Sequence, residues 1–216
     1  MGTLVIARPH RGELSYLFMY RYEQLQKPEG YRPLVVGGTS VDMARNELVR
    51  AFLAIPEASH LLFLDDDVLP PEDAIPRLMA HDLPIVSGLY FKRGAPYVPV
   101  AWRFARGKRV NDGARGGTEP LLDYRPGLQE VAAVGAGLLL IRREVLENIP
   151  EPWFATHYPV CSEDAYFCEL ARAAGFKVYL DADVKAGHLS VSIITEAHYL
   201  RERRLEEIDH KGRVFH

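Results

Sequence analysis

Short apolar runs alternate with stretches of helical periodicity over the first ninety residues. Thr3 to Ala7 is an apolar run ahead of Arg8-Pro9, which predicts a buried strand ending in a loop. Leu14 to Gln26 predicts a helix, broken across Lys27 to Pro33, and Pro33 to Val36 predicts a second strand closed by Gly37-Gly38. Val41, Leu48, Val49, Phe52 and Leu53 then recur at helical spacing behind Thr39 or Ser40 as N-cap, with Asp42, Arg45 and Asn46 together on the polar side. His60 to Leu64 is a compact strand that runs directly into Asp65-Asp66-Asp67. Pro70-Pro71 open a helix over Glu72 to Ala80, with prolines and acids where unpaired amides and the helix dipole favour them. Pro84 to Phe91 is the next strand. This alternation predicts an α/β fold with a largely parallel sheet and helices on both faces.

The pattern changes after Phe91. Lys92 to Glu130 is rich in Gly, Pro and Arg, with one strand-like piece over Val98 to Phe104, as expected of a functional flap or a small excursion lobe. Arg93, Arg103, Arg106, Lys108, Arg109 and Arg115 make it basic. It reads as a solvated loop, a lid over an anionic ligand or a seat for an acidic one. Val131 to Ile141 returns as a core strand, in which Gly135 and Gly137 imply close backbone approach, to a ligand or to a neighbouring element. Arg142 to Asn148 predicts a short helix, and Ser162 caps another that runs to Ala174 and stops at Gly175. Lys177 to Leu180 is the last strand, followed by a loop to Gly187-His188 and a charged helical tail over Glu196 to Lys211.

With 216 residues and 48% hydrophobic content, the chain suffices for one domain spanning 1–216. The pattern divides it at about residues 91 and 190. The net charge of -3 supplies no global basic field, so no stable nucleic-acid complex is expected. The N-terminus lacks the features of a secretory signal, and no apolar run approaches the roughly 18 to 20 residues of a membrane span. Cys161 and Cys168 are seven apart; if a helix runs through both they stand about two turns apart, too far to bridge, and a reducing cytoplasm is the simpler expectation.

The chemistry concentrates at Asp65-Asp66-Asp67. Carboxylates disfavour strands and repel one another, yet these stand at the mouth of an apolar strand, where open α/β sheets bind ligands. In extended backbone Asp65 and Asp67 point to one face and converge on a hard cation such as Mg²⁺ or Mn²⁺. An acidic turn beside a helix start is the alternative reading. Glu163-Asp164 behind Ser162 is likewise what any helix N-terminus prefers.

An apolar strand ending in Asp65-x-Asp67, followed by Pro71-Glu72-Asp73 and then Ile85-Val86-Ser87-Gly88-Leu89-Tyr90, resembles the small family-2-like GT-A glycosyltransferases of phages and prokaryotes. Ser162-Glu163-Asp164 with Phe167 and Gly175-Phe176-Lys177 resembles their acidic helix start, and Gly187-His188-Leu189 their downstream histidine. The resemblance covers about residues 3 to 190. It implies a Rossmann-like GT-A fold in which Asp67 and His188 bind the metal, Mn²⁺ or Mg²⁺. Asp65 would meet metal or donor ribose, and Asp66 ribose or sugar. Asp164 would be the general base, its helix-start position keeping it ionised, with Glu163 assisting. Arg8 and Arg45 would face the diphosphate or base of a UDP- or GDP-sugar. The family's acidic motif after the second strand is replaced by Gly37-Gly38-Thr39, which leaves the nucleotide open. A base at Asp164 implies inversion. The alternatives are a retaining enzyme, a sugar nucleotidyltransferase and a non-catalytic nucleotide-sugar-binding module. The acceptor is not specified.

Overall fold

The computed structural model describes residues 2–10, 12, 14–105, 117–157, 162–191, 196 and 200. Arg106, Lys108, Arg109, Arg115, Cys161 and nearly all of the expected tail lie outside them. The first half alternates as expected: β1 (Thr3–His10), α1 (Tyr16–Gln24), β2 (Arg32–Gly37), α2 (Val41–Leu53), β3 (Ala58–Leu64), the two-residue β4 (Val68–Leu69), α3 (Ala74–Ala80) and β5 (Ile85–Leu89). The flap carries β6 (Ala101–Phe104) and β7 (Thr118–Pro120). Then come β8 (Leu128–Val131), β9 (Ala133–Val134), β10 (Leu138–Arg142), α4 (Arg143–Asn148), α5 (Glu163–Ala173), β11 (Val178–Lys185) and β12 (Gly187–His188).

Seven strands form the central sheet in the order β2-β1-β3-β10-β5-β11-β8. β1, β2, β3, β5 and β11 share one direction; β10 and β8 run against their neighbours. Successive strand residues face opposite sides, so one sheet feeds two cores. Val5, Leu61, Phe63 and Leu139 pack with Leu48 and Phe52 of α2 and Phe167 of α5. Leu4, Ile6, Leu62 and Leu140 pack with Phe18 of α1 and Ile75 and Leu78 of α3.

Three differences from the sequence pattern matter for the site. β1 does not end at Ala7 but continues through Arg8 and Pro9 to His10, paired there only with β2. A proline without an N–H is tolerated where one side of the strand is open. The expected single strand Val131 to Ile141 is divided among β8 at the sheet edge, β9 in a small sheet with β6 and β7, and β10 at the sheet centre. Its glycines approach Tyr90: a Cβ on Gly135 would lie 2.0 Å from the Tyr90 hydroxyl, which itself accepts the Gly137 N–H at 3.0 Å. Finally, His188 is not in a loop. Gly187 and His188 form β12, antiparallel to β4 directly behind the acidic turn.

β11 is irregular between Asp181 and Lys185, and a buried carboxylate holds the irregularity. Asp181 Oδ1 accepts the Asp183 N–H at 2.9 Å and the Val184 N–H at 3.3 Å, and Oδ2 meets His81 Nε2 at 2.9 Å. Burial alone would raise this carboxyl, but the His81 contact and the backbone donors outweigh it and hold it below its ordinary value. A depressed carboxylate contributes stability above its unfolded pKa of about 3.9, and that contribution is lost as pH falls through the folded value. Asp181→Asn keeps the hydrogen-bonding capacity and removes the charge. Urea midpoints measured from pH 7 down to pH 3 should therefore decline less steeply for the variant. Parallel curves would discard this account.

Candidate active site

The acidic turn begins where β3 ends, and its backbone is fixed by the start of β10: the Asp65 N–H donates to the Gly137 carbonyl at 3.0 Å. Its three side chains are half-buried, and those of Asp65 and Asp67 diverge. Asp65 turns toward α2, where Arg45 Nη2 donates to Oδ2 at 3.0 Å. The other oxygen, Oδ1, is buried without a partner among the described residues. Arg45 is 2% exposed, so the expected polar side of α2 is an interior surface. Its Nε also reaches Glu163 Oε1 at 3.4 Å. One buried guanidinium thus joins the acidic turn to the start of α5. Burial opposes its charge, but Asp65 and Glu163 more than compensate, holding Arg45 above its ordinary value.

Asp67 points the other way. Its Oδ1 lies 3.4 Å from His188 Nε2, and its Oδ2 accepts from Arg93 Nη1 at 2.8 Å. The β4–β12 ladder sets the histidine here, extended by the Leu189 N–H donating to the Asp67 carbonyl at 2.7 Å. His188 Nδ1 meets the Phe91 carbonyl at 2.7 Å; a carbonyl only accepts, so Nδ1 carries the proton. The Tyr90 ring packs edge-on at 5.4 Å between centroids. Nε2 is thereby the nitrogen that faces Asp67. Burial disfavours the imidazolium, yet Asp67 and the Phe91 carbonyl outweigh it and raise His188 above its usual value.

The start of α5 holds the other acids. Ser162 is the N-cap of α5, as expected, but makes no side-chain cap hydrogen bond; its hydroxyl donates to Asp164 Oδ1, which also accepts the Ala165 N–H at 2.8 Å. Ser40 and Asp42 repeat this arrangement at the start of α2. The two carboxyls move in opposite directions. The Ser40 hydrogen bond lowers Asp42, whereas burial raises Asp164 despite the same hydroxyl. Position at a helix start therefore does not by itself lower Asp164, because desolvation outweighs it. Burial, then Asp164, raises Glu163 as well, against the pull of Arg45.

Asn46 secures the approach to α5, a role its place in the sequence pattern did not announce. Its side-chain amide donates to the Phe154 carbonyl at 2.7 Å and accepts the Phe154 N–H at 3.2 Å. Its neighbour on the helix, Asp42, accepts the Thr156 N–H at 3.3 Å. Adjacent Arg45 and Asn46 on an amphipathic helix were the available signal.

Arg8 is not gathered with this group. Alternation along β1 sends it to the α1 face, where its guanidinium lies 4.5 Å from the Tyr22 ring centre and its Nε is buried without a partner among the described residues. Arg45 approaches from α2, on the opposite side of the sheet. In the flap, Arg103 is neutralised by Glu119 at 2.7 Å and Asp123 at 2.6 Å, while Arg93 reaches Asp67.

No group of three metal-binding side chains converges among the described residues. The expected trio of Asp65, Asp67 and His188 is thus brought together only as the last two. That pair suits Mg²⁺ or Mn²⁺, which commonly take one or two carboxylates and leave positions for substrate phosphates. The Nδ1–H bond to a carbonyl is also the orientation that ligating histidines show.

The sheet order, its reversed central strand β10 and the acidic turn after β3 define a Rossmann-like fold of the GT-A type. In solved structures, A197 from STIV matches with a TM-score of 0.65 and 21% identity over 88% of this chain and 86% of that one. GalNAc-T7, crystallised with UDP, GalNAc and Mn²⁺, matches with a TM-score of 0.60 and 12% identity over 89% of this chain; this chain spans 44% of its length. Identities this low establish the fold alone. No protein-family model matches the chain, and no curated protein matches it in sequence. No helix among the described residues is long and apolar enough to cross a membrane.

Proposed function

We propose that this chain is a metal-dependent glycosyltransferase that moves a sugar from a nucleoside-diphosphate sugar to a hydroxyl acceptor, with inversion. The observation that carries the reading is the convergence of two separate acidic elements on one place. The turn at Asp65 to Asp67 and the helix start at Glu163-Asp164 are nearly a hundred residues apart, and buried Arg45 joins them through Asp65 at 3.0 Å and Glu163 at 3.4 Å.

Asp67 and the Nε2 lone pair of His188 hold Mn²⁺ or Mg²⁺. When bound, the cation offsets the charge of the leaving nucleoside diphosphate. Asp65, held by Arg45 through Oδ2, contacts a ribose hydroxyl of the donor. Asp66 extends the same contact toward ribose or sugar. Asp164 takes the proton from the acceptor hydroxyl. Its Oδ1 is already held by Ser162 and Ala165, leaving Oδ2 for the acceptor. A carboxyl raised by burial is the more effective base near neutrality. Glu163, clamped by Arg45, positions the acceptor or donor beside it. Residues 1–91 serve the donor and 92–190 the acceptor. Arg8, on the far face of the sheet, is assigned no catalytic part.

A panel of UDP-, GDP- and dTDP-sugars with and without Mn²⁺ tests this reading. Thermal stabilisation and slow donor hydrolysis should appear for one nucleotide and require the metal. Product stereochemistry by NMR should show inversion. A panel that is silent throughout would refute the assignment.

A further inference from the structure

Arg93 occupies a peculiar place. It is a flap residue, 41% exposed at its side chain, yet its guanidinium sits on the carboxylate expected to receive the cation. Asp67 divides its two oxygens between His188 Nε2 at 3.4 Å and Arg93 Nη1 at 2.8 Å. A divalent ion held by Asp67 and His188 would put two positive centres on one small carboxylate, and the guanidinium is the one free to leave. Its backbone is not free. The Arg93 carbonyl accepts from Ser190 Oγ at 3.3 Å, and Phe91, two residues earlier, accepts from His188 at 2.7 Å. The root of the side chain is therefore tied to the histidine segment while the charged end can swing.

We propose that Arg93 is a placeholder cation: it neutralises Asp67 before the donor arrives, then passes to the diphosphate when the metal takes its place. This rests on the metal and nucleotide reading above. The planar fork of arginine suits both partners, carboxylate first and phosphate afterwards. The exchange couples the two ligands. Metal alone must displace Arg93 and gains nothing in return, so it binds weakly. Metal with a diphosphate gives the guanidinium a new anion, so it binds tightly. By linkage the nucleotide feels the same factor. The arrangement makes Asp67 unavailable to a cation that comes without its nucleotide.

The test uses the full chain and titrates Mn²⁺ by the paramagnetic resonance signal of the free ion, alone and with saturating UDP or GDP. In the wild type the effective nucleotide should raise Mn²⁺ affinity about 100-fold, within the usual range of coupling factors. In Arg93→Ala, Mn²⁺ alone should bind about fivefold more tightly, and the nucleotide effect should fall well below the wild-type factor, what remains being the direct attraction of metal and diphosphate. Arg93→Gln, which keeps length without charge, should behave alike, and Arg103→Ala, whose guanidinium is engaged by Glu119 and Asp123, should match the wild type. Melting curves establish that each variant is folded. An undiminished nucleotide effect in both Arg93 variants overturns the placeholder role and leaves the proposed function standing. A wild type that binds no Mn²⁺ with either nucleotide overturns both.

Discussion

Asp164→Asn should lower the rate of glycosyl transfer by about 10³-fold, the scale of a lost general base, with donor affinity unchanged. The substitution is nearly isosteric, and the Asn carbonyl can still accept from Ser162 and the Ala165 N–H. What disappears is the capacity to take a proton. The fold should not suffer. Burial, the largest influence, holds the Asp164 carboxyl above its unfolded value of about 3.9. A raised carboxyl favours the protonated folded state, so stability declines as pH climbs from the unfolded value through the folded one. At pH 7 the ionised Asp164 is thus a cost to folding that asparagine removes. The variant should melt at the same temperature as the wild type or higher, separating lost catalysis from lost structure. The wild-type pH profile of kcat/KM should also carry an acid limb above the ordinary carboxylate range, because the base must be ionised. Turnover by Asp164→Asn at the wild-type rate would remove this residue from the reaction.

The elements legible in the sequence were those whose cause is local. An apolar run ending in three aspartates, prolines ahead of α3 and a glycine after α5 each announce a strand, a start and a stop within a few residues. Gly175, with φ of 90°, is in the left-handed region that a helix stop of this kind uses. The features that escaped are set by residues far along the chain. Nothing near Arg45 reveals that it is buried, since one partner lies 20 residues away and the other 118. The run from Val131 to Ile141 is uniformly apolar, and its division into three strands follows from what each piece meets, including the Tyr90 hydroxyl beside the glycines. His188 stood out only through family resemblance, because its strand partner is β4, directly behind the acidic turn and more than a hundred residues earlier in the chain. Arg8 is placed apart from the acidic elements for the opposite reason. Its proximity to a strand end suggested the site, but β1 continues, and alternation carries the side chain to the other face.

Arg45→Leu should be the most destabilising single change at the site. Burying one guanidinium between two carboxylates is favourable only while all three are present; removing the centre leaves Asp65, 26% exposed, and Glu163, 13% exposed, facing each other across an apolar side chain. Breaking a buried pair from one side costs about 3 kcal/mol or more. For a chain of this size that corresponds to a fall in Tm of roughly 6 to 12 °C. Arg45 also lowers the carboxyls of Glu163 and Asp164, so any residual activity should show its acid limb moved to higher pH. Arg45→Lys should fall between, because one ammonium cannot serve both carboxylates with the geometry of a fork. Neutralising the partners should recover stability: Arg45→Leu combined with Asp65→Asn and Glu163→Gln leaves no buried charge unpaired and should melt above Arg45→Leu alone. It should nevertheless bind no donor. A rescue of folding without a rescue of binding would mean the triad is kept for the ligand rather than for the fold. An Arg45→Leu protein that melts with the wild type would mean that water, not this arginine, compensates the two acids.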